Sequence, residues 1–189
     1  MKNILKAVRN PGRAYYHVMR SVRGWCYKGA YKLLGRRVTI GRNFKVDGSL
    51  SVRGPGRVVI GDDVTIGMHV TPWTHAESAE LRIGNKVYLN GTRFGCADSI
   101  TIGDGCILAD CRIMDTDYHG TDPRRRDAVK TAPIVVERNV WITVQCVVLK
   151  GVTIAEGCTV TPSSVVVRPL PSPNSVYGGN PAVLIKRAS

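Results

Sequence analysis

Aliphatic residues recur at an unbroken six-residue interval through the second half of this 189-residue chain: Val136, Ile142, Val148, Ile154, Val160 and Val166. Two positions before each stands a small or aliphatic partner: Ile134, Val140, Cys146, Val152, Cys158 and Ser164. The same phrase recurs upstream as Ile40-Gly41, Ile60-Gly61, Ile66-Gly67, Ile83-Gly84, Leu89-Asn90, Ile102-Gly103 and Leu108-Ala109. A period of six matches neither a 3.6-residue helix nor the alternation of a simple sheet. It is the period of an all-β fold, the hexapeptide parallel β-helix, in which each hexad supplies one short strand and one corner. Every sixth side chain points into a narrow interior, and each coil buries its strands only through its neighbours. Composition agrees: aromatics are 6 % of the chain, so the core must be built from small aliphatic side chains. The hydrophobic share of 43 % excludes a disordered chain.

The hexads extend over residues 38–169, with three breaks where segments leave the coil. Pro72-Trp73-Thr74-His75-Ala76-Glu77 lies between Ile66 and Ile83, and one extra residue separates Ile83 from Ile102. The longest excursion, residues 115–133, carries Asp117-Tyr118-His119 and Arg124-Arg125-Arg126. Loops on a rigid scaffold are where function concentrates. Residues 1–37 form a separate arm without hexads. There Tyr15, Val18, Met19, Val22, Trp25, Cys26, Gly29 and Leu33 recur at helical spacing. That spacing predicts an amphipathic helix after the break at Asn10-Pro11-Gly12 and a shorter helix before it. Residues 170–189 begin with Pro171 and Pro173, end in Lys186-Arg187, and read as a basic C-terminal tail.

The net charge of +13 is unevenly placed. Residues 1–37 hold ten basic residues and no acid; the remainder holds seventeen basic and fourteen acidic residues. A nearly neutral main domain argues against nucleic acid as a partner. No apolar run approaches the ~20 residues of a membrane span. Lys2, Lys6 and Arg9 interrupt the N-terminal stretch in a way a signal peptide does not. The six cysteines form no C-x-x-C pair, so reduced, buried thiols and a cytoplasmic location are expected. The basic arm leaves two readings open. Its apolar stripe packs across the open end of the β-helix or on a neighbouring subunit, or residues 1–35 lie peripherally on an anionic membrane surface.

Specific residues add a resemblance. Ala132-Pro133-Ile134-Val135-Val136-Glu137-Arg138-Asn139-Val140-Trp141-Ile142 resembles the segment before the last coils of the hexapeptide-repeat sugar O-acetyltransferases. Leu149-Lys150-Gly151-Val152-Thr153-Ile154 and Val176-Tyr177-Gly178-Gly179-Asn180-Pro181-Ala182 resemble the branch containing maltose and galactoside acetyltransferases. Asp115-Thr116-Asp117-Tyr118-His119 resembles that family's catalytic-histidine segment. The resemblance implies a left-handed β-helix and a homotrimer with sites between neighbouring subunits. It implies acetyl-CoA as co-substrate and a sugar or glycan acceptor, in surface-polysaccharide or lipid-linked glycan assembly. His119 would be the general base in a direct transfer, because a sugar hydroxyl is too weak an acid to ionise unaided. Asn90, Asp117 and Trp141 would meet the acceptor. Trp141, Thr143, Thr161, Lys186 and Arg187 would lie along CoA, with the last two at its phosphates.

The chain departs from the family pattern at Trp141-Ile142-Thr143, where glycine usually follows the isoleucine, and at Thr161-Pro162-Ser163, where small corner residues are usual. A ring at Pro162 removes a backbone donor from that wall. These departures leave three alternatives open: another acyl donor, an amino-sugar acceptor, or a non-catalytic trimeric scaffold. No metal is expected, since His69 and His75 do not form the close two-histidine spacing of zinc-binding β-helix enzymes. Plainer roles also stand: Trp141 as packing on the stack, and Asn90 as a corner residue with a left-handed backbone. Cys106, Cys146 and Cys158 read as ladder residues, and Arg124-Arg125-Arg126 as a solvated run.

Overall fold

The computed structural model describes residues 11–120 and 122–187, so the short helix expected before Pro11 lies outside the described residues. From Val38 onward the chain winds into a left-handed parallel β-helix with three faces. The first face stacks β1 (Val38–Ile40), β4 (Arg57–Ile60), β7 (Glu80–Ile83), β10 (Ser99–Ile102), β13 (Ile134–Val136) and β16 (Thr153–Ile154). The second stacks β2 (Lys45–Val46), β5 (Thr65–Ile66), β8 (Tyr88–Asn90), β11 (Ile107–Ala109), β14 (Trp141–Ile142), β17 (Thr159–Val160), β19 (Ser175–Gly178) and β20 (Val183–Arg187). The third stacks β3 (Ser49–Leu50), β6 (His69–Thr74), β9 (Arg93–Cys96), β12 (Arg112–Met114), β15 (Val147–Val148) and β18 (Val165–Val166).

Registers show why six is the period. Three hexads complete a coil, so Val136 pairs with Ile154, Ile142 with Val160 and Val148 with Val166, one column per face. All six are buried, as are Ile134, Val140, Cys146, Val152, Cys158 and Ser164. Ile40, Ile60, Ile83 and Ile102 extend the first-face column upward. The five coil cysteines are buried and free. Burial pushes the thiols of Cys106 and Cys111 up to about 11 and about 12, consistent with ladder residues.

The breaks in the period, scattered in sequence, share one place in space. The connections β3 to β4, β6 to β7, β9 to β10 and β12 to β13 all turn from the third face to the first. They therefore stack along a single edge of the prism, with the 115–133 excursion lowest.

Among the described residues the arm holds one helix, α1 (Pro11–Leu33). Pro11 has no N–H to leave unpaired at the first helical position. Gly35, at φ 60°, closes the other end: its N–H donates to the Lys32 carbonyl and that of Arg36 to the Tyr31 carbonyl. The helix lies on the first coil, but not by its apolar stripe. Tyr15, Val18, Met19, Val22, Trp25 and Leu33 are exposed, Trp25 by 76 % and Leu33 by 89 %. The opposite face makes the contacts. Arg20 pairs with Asp47 at 2.8 Å, and Arg23 donates to the carbonyls of Asp47 and Gly48. Lys28 donates to the Gly41 carbonyl. The Tyr31 hydroxyl donates to the Leu50 carbonyl at 2.9 Å and accepts the Val52 N–H at 3.1 Å. Packing of the stripe across the open end is thus corrected: the first coil's edge is a row of backbone groups that needs polar partners, and the helix supplies them from its polar side. Among the described residues, no helix is long and apolar enough to cross a membrane.

The other end also differs from the tail expected. Leu170 bridges back to Ile154, β19 continues the second face in parallel, and β20 turns to pair with β19 antiparallel. Lys186 and Arg187 therefore sit on an exposed edge strand.

Candidate functional site

The excursion is tied down at its root. Asp115 is fully buried, and its carboxylate accepts the N–H groups of Ala97 at 2.7 Å and Asp98 at 2.9 Å, the turn of the coil above. Its own N–H donates to the Gly95 carbonyl, and its carbonyl accepts the Ala132 N–H where the excursion returns. Thr116 and Thr131 form an antiparallel bridge, and the Asp117 N–H donates to the Lys130 carbonyl. The loop thus leaves and re-enters as a short ribbon, and its outer residues project from a fixed base.

Tyr118 follows, at φ 61°, a backbone conformation unusual for a large side chain. The turn swings its ring back onto the coil. The hydroxyl comes to rest where a Cβ on Gly95 would stand, so Gly95 can carry no side chain. Edge-on, the ring meets His75 at 5.0 Å between centroids, and His75 in turn lies 4.9 Å from Trp73. Burial raises the Tyr118 phenol and lowers the His75 imidazole below its ordinary value, so His75 is held toward its neutral form. Neither Tyr118 nor His75 stood out as a site residue in the sequence. The signal was Gly95, an unexplained glycine inside a strand.

His119 is exposed on the loop, its N–H donating to the Asp117 carbonyl at 2.7 Å. No described residue makes a hydrogen bond to its ring. Asp117 does not face it: its carboxylate accepts Lys150 Nζ at 2.5 Å, beside a cleft lined by Gly120, Asp122, Arg125 and Lys130.

The other candidates stand elsewhere. Trp141, 49 % exposed, lies on the second face in a column of outward positions: Tyr88, Ile107, Trp141, Thr159, Val176 and Lys186. Trp141 and Lys186 are three strand spacings apart, about 14 Å. Thr143 points inward: it is buried and its hydroxyl donates to the Val160 carbonyl at 2.7 Å. Thr161 is half-buried, its hydroxyl shared with Ser164 at 3.2 Å. Asn90 packs over Gly67 beside Tyr88. The left-handed backbone expected at Asn90 belongs to its neighbour Gly91, at φ 76°. A single chain therefore joins Trp141 and Lys186 on one column and Asp117 and His119 on one loop. It does not join the two groups, because the loop leaves from the edge between the third and first faces.

No protein-family model matches the chain. It is 31 % identical over 153 residues to the probable acetyltransferase Rv3034c of Mycobacterium tuberculosis, covering 69 % of this chain and 50 % of that one. It is 27 % identical over 147 residues to the putative colanic acid biosynthesis acetyltransferase WcaF of Escherichia coli, covering 78 % and 68 %. The chain thus spans only about half the length of the first of these relatives. Among solved structures, the hexapeptide-repeat acetyltransferase VCA0836 of Vibrio cholerae superposes with a TM-score of 0.57 at 26 % identity, covering 86 % and 81 %. AntD, an N-acyltransferase from Bacillus cereus in complex with dTDP and 3-hydroxybutyryl-CoA, gives 0.71 at 20 % identity, covering 85 % and 88 %, a likeness of fold.

Proposed function

We propose that this chain, which belongs with the hexapeptide-repeat acetyltransferases, transfers an acetyl group from acetyl-CoA to a hydroxyl of a sugar, with His119 as the general base. The observation that carries the reading is an exposed histidine presented by a loop whose root is locked to the coil through Asp115. Acetyl-CoA supplies the activated acyl group. His119 takes the proton of the attacking hydroxyl and returns it to the departing sulfur, a role that suits an imidazole near neutrality. The likeness to WcaF, the putative colanic acid biosynthesis acetyltransferase, supports a polysaccharide or lipid-linked glycan as acceptor.

The chain's own residues fit the donor in part. The column from Trp141 to Lys186 is half-exposed between its two exposed ends and finishes at a cation, and it suits an extended thioester with a phosphorylated end. Thr143 serves that wall only by shape, since its hydroxyl is committed to Val160. Because loop and column occupy different faces, the complete site lies between copies in a homotrimer, with the His119 loop of one beside the Trp141 column of the next. The outward apolar ridge of α1, in an arm of ten basic residues and no acid, seats the assembly on an anionic lipid surface.

The test is thiol release from acetyl-CoA with a panel of sugars and amino sugars, comparing the native chain with His119→Gln. We expect a fall of about 10²–10⁴-fold in turnover with CoA affinity unchanged. Turnover within threefold of native removes His119 from the role, and transfer to amines alone replaces the hydroxyl acceptor with an amino sugar.

A further inference from the structure

The third face carries a cleft of about 470 Å³ that the proposed transfer does not yet use. Two columns of outward side chains build it. One runs Arg53, Trp73, Gly95, Met114; the other runs Thr71, Arg93, Arg112. Tyr118 closes one side and His69 another. Gly95, the register partner of Trp73, makes room for the Tyr118 hydroxyl, and the Trp73 side chain is 46 % exposed.

The cleft gathers three cations and no carboxylate. Four other arginines of the coil meet carboxylates: Arg42 with Asp62, Arg57 and Arg82 with Glu80, Arg138 with Glu156. Arg53, Arg93 and Arg112 form no ion pair with any described residue, and no acid lines the cleft. Arg93 and Arg112 are direct register partners on adjacent strands, about 4.8 Å apart at the backbone. Like charges placed so oppose folding. Asp110 borders the same two arginines from the next corner, in a separate depression, and pairs with neither. Both nitrogens of His69 are already held, Nδ1 by the Ser49 hydroxyl at 2.6 Å and Nε2 by that of Thr71 at 3.0 Å.

We infer that the cleft binds an oxyanion carried by the sugar acceptor, a phosphate or a carboxylate, with the sugar ring against Trp73. Guanidinium forks match the geometry of either group, and a bound anion relieves the repulsion between Arg93 and Arg112. The exposed indole face suits the apolar side of a sugar. Tyr118 lines the cleft and His119 is the next residue, so a group anchored here holds its hydroxyls beside the proposed base. The inference rests on the transfer reading only in calling the ligand an acceptor; the binding itself is independent of catalysis.

The experiment is calorimetric titration of the full chain at low salt with glucose, glucuronate and glucose 1-phosphate, repeated on the double variant Arg93→Gln, Arg112→Gln and on His119→Gln. At least one acidic sugar is expected to bind tenfold or more tighter than glucose, with the advantage fading as salt rises. The arginine variant should lose that advantage while keeping its affinity for CoA, with a thermal midpoint at or above the native one because the repulsion is gone. His119→Gln should keep it, which separates this inference from the fate of the transfer reading. The better of the two acidic sugars identifies the oxyanion. Equal binding of all three sugars, or a preference that survives loss of both arginines, overturns the inference. So does loss of CoA affinity in the arginine variant, which would give the cleft to the donor's phosphates.

Discussion

Helix α1 and the 115–133 excursion are the two largest departures from the hexad, and they attach to the coil in the same way with opposite consequences. Both are held by polar contacts to coil backbone. Asp115 accepts two N–H groups at a third-face corner, while Arg23, Lys28 and Tyr31 satisfy carbonyls along the first coil's open edge. The excursion is polar and so presents His119 outward, with Asp117 paired to Lys150 of the coil. The helix is amphipathic and presents an apolar ridge. The coil's aliphatic side chains are already paired with one another inside, so its exterior offers an added segment mainly backbone and charge. An apolar stripe laid on such a scaffold finds no partner among the described residues.

The sharpest test of this parallel is Asp115→Ala, which strands two N–H groups and empties a buried anchor. It should cost about 3 kcal/mol and lower the thermal midpoint by about 6–12 °C, whereas His119→Gln leaves the midpoint unchanged. Equal midpoints for both variants would break the claim that the loop root is structural and its tip functional. On the helix, Gly24→Ala drives a methyl into the Phe44 carbonyl oxygen. The helix must lift, at about 1–3 kcal/mol. Gly29→Ala, which meets nothing within 4 Å, should instead stabilise by about 0.5–1 kcal/mol in urea unfolding. Reversal of these signs would mean that the apolar ridge, not the polar face, is the attached side.

Thiol chemistry sharpens the comparison further. Cys26 lies on the ridge and is exposed, while the other five cysteines are buried. Alkylation of the native chain should give one fast-reacting thiol, slowed by vesicles rich in anionic lipid and unaffected by neutral ones. Undiminished labelling on anionic vesicles removes the ridge from a membrane. The smallest effect is one of pH. Burial lowers the His75 pKa from 6.5, so protonation is harder in the folded chain than in the unfolded one. The associated stability is present above pH 6.5 and is lost as pH falls through the lowered folded value. His75→Gln should therefore flatten the acid side of the stability profile; an unchanged slope would mean that His75 is not held neutral against Tyr118.

How much of this was legible in the chain differs by kind of residue. The columns Val136–Ile154, Ile142–Val160 and Val148–Val166 follow from spacing alone, since a repeat that buries every sixth residue specifies its own stacking. His119 drew attention because it sits in the longest break. Tyr118 and His75 did not, because their meeting depends on a positive φ and on Gly95, and they stand 43 positions apart on two loops brought to one edge. The same holds for Arg93 and Arg112, which look like ordinary outward strand residues until registers stack them without a carboxylate.

By itself the sequence determined the β-helix, its aliphatic interior, the positions of its breaks and the amphipathic character of the arm, because each is a matter of period and composition within a local stretch. Only the tertiary structure decided that all breaks share one edge, that α1 docks by its polar side, and that Trp141 and Lys186 line one column while His119 projects from another edge. Those facts depend on which residues lie one coil apart, a distance of about 4.8 Å in space that loops of unequal length conceal along the chain.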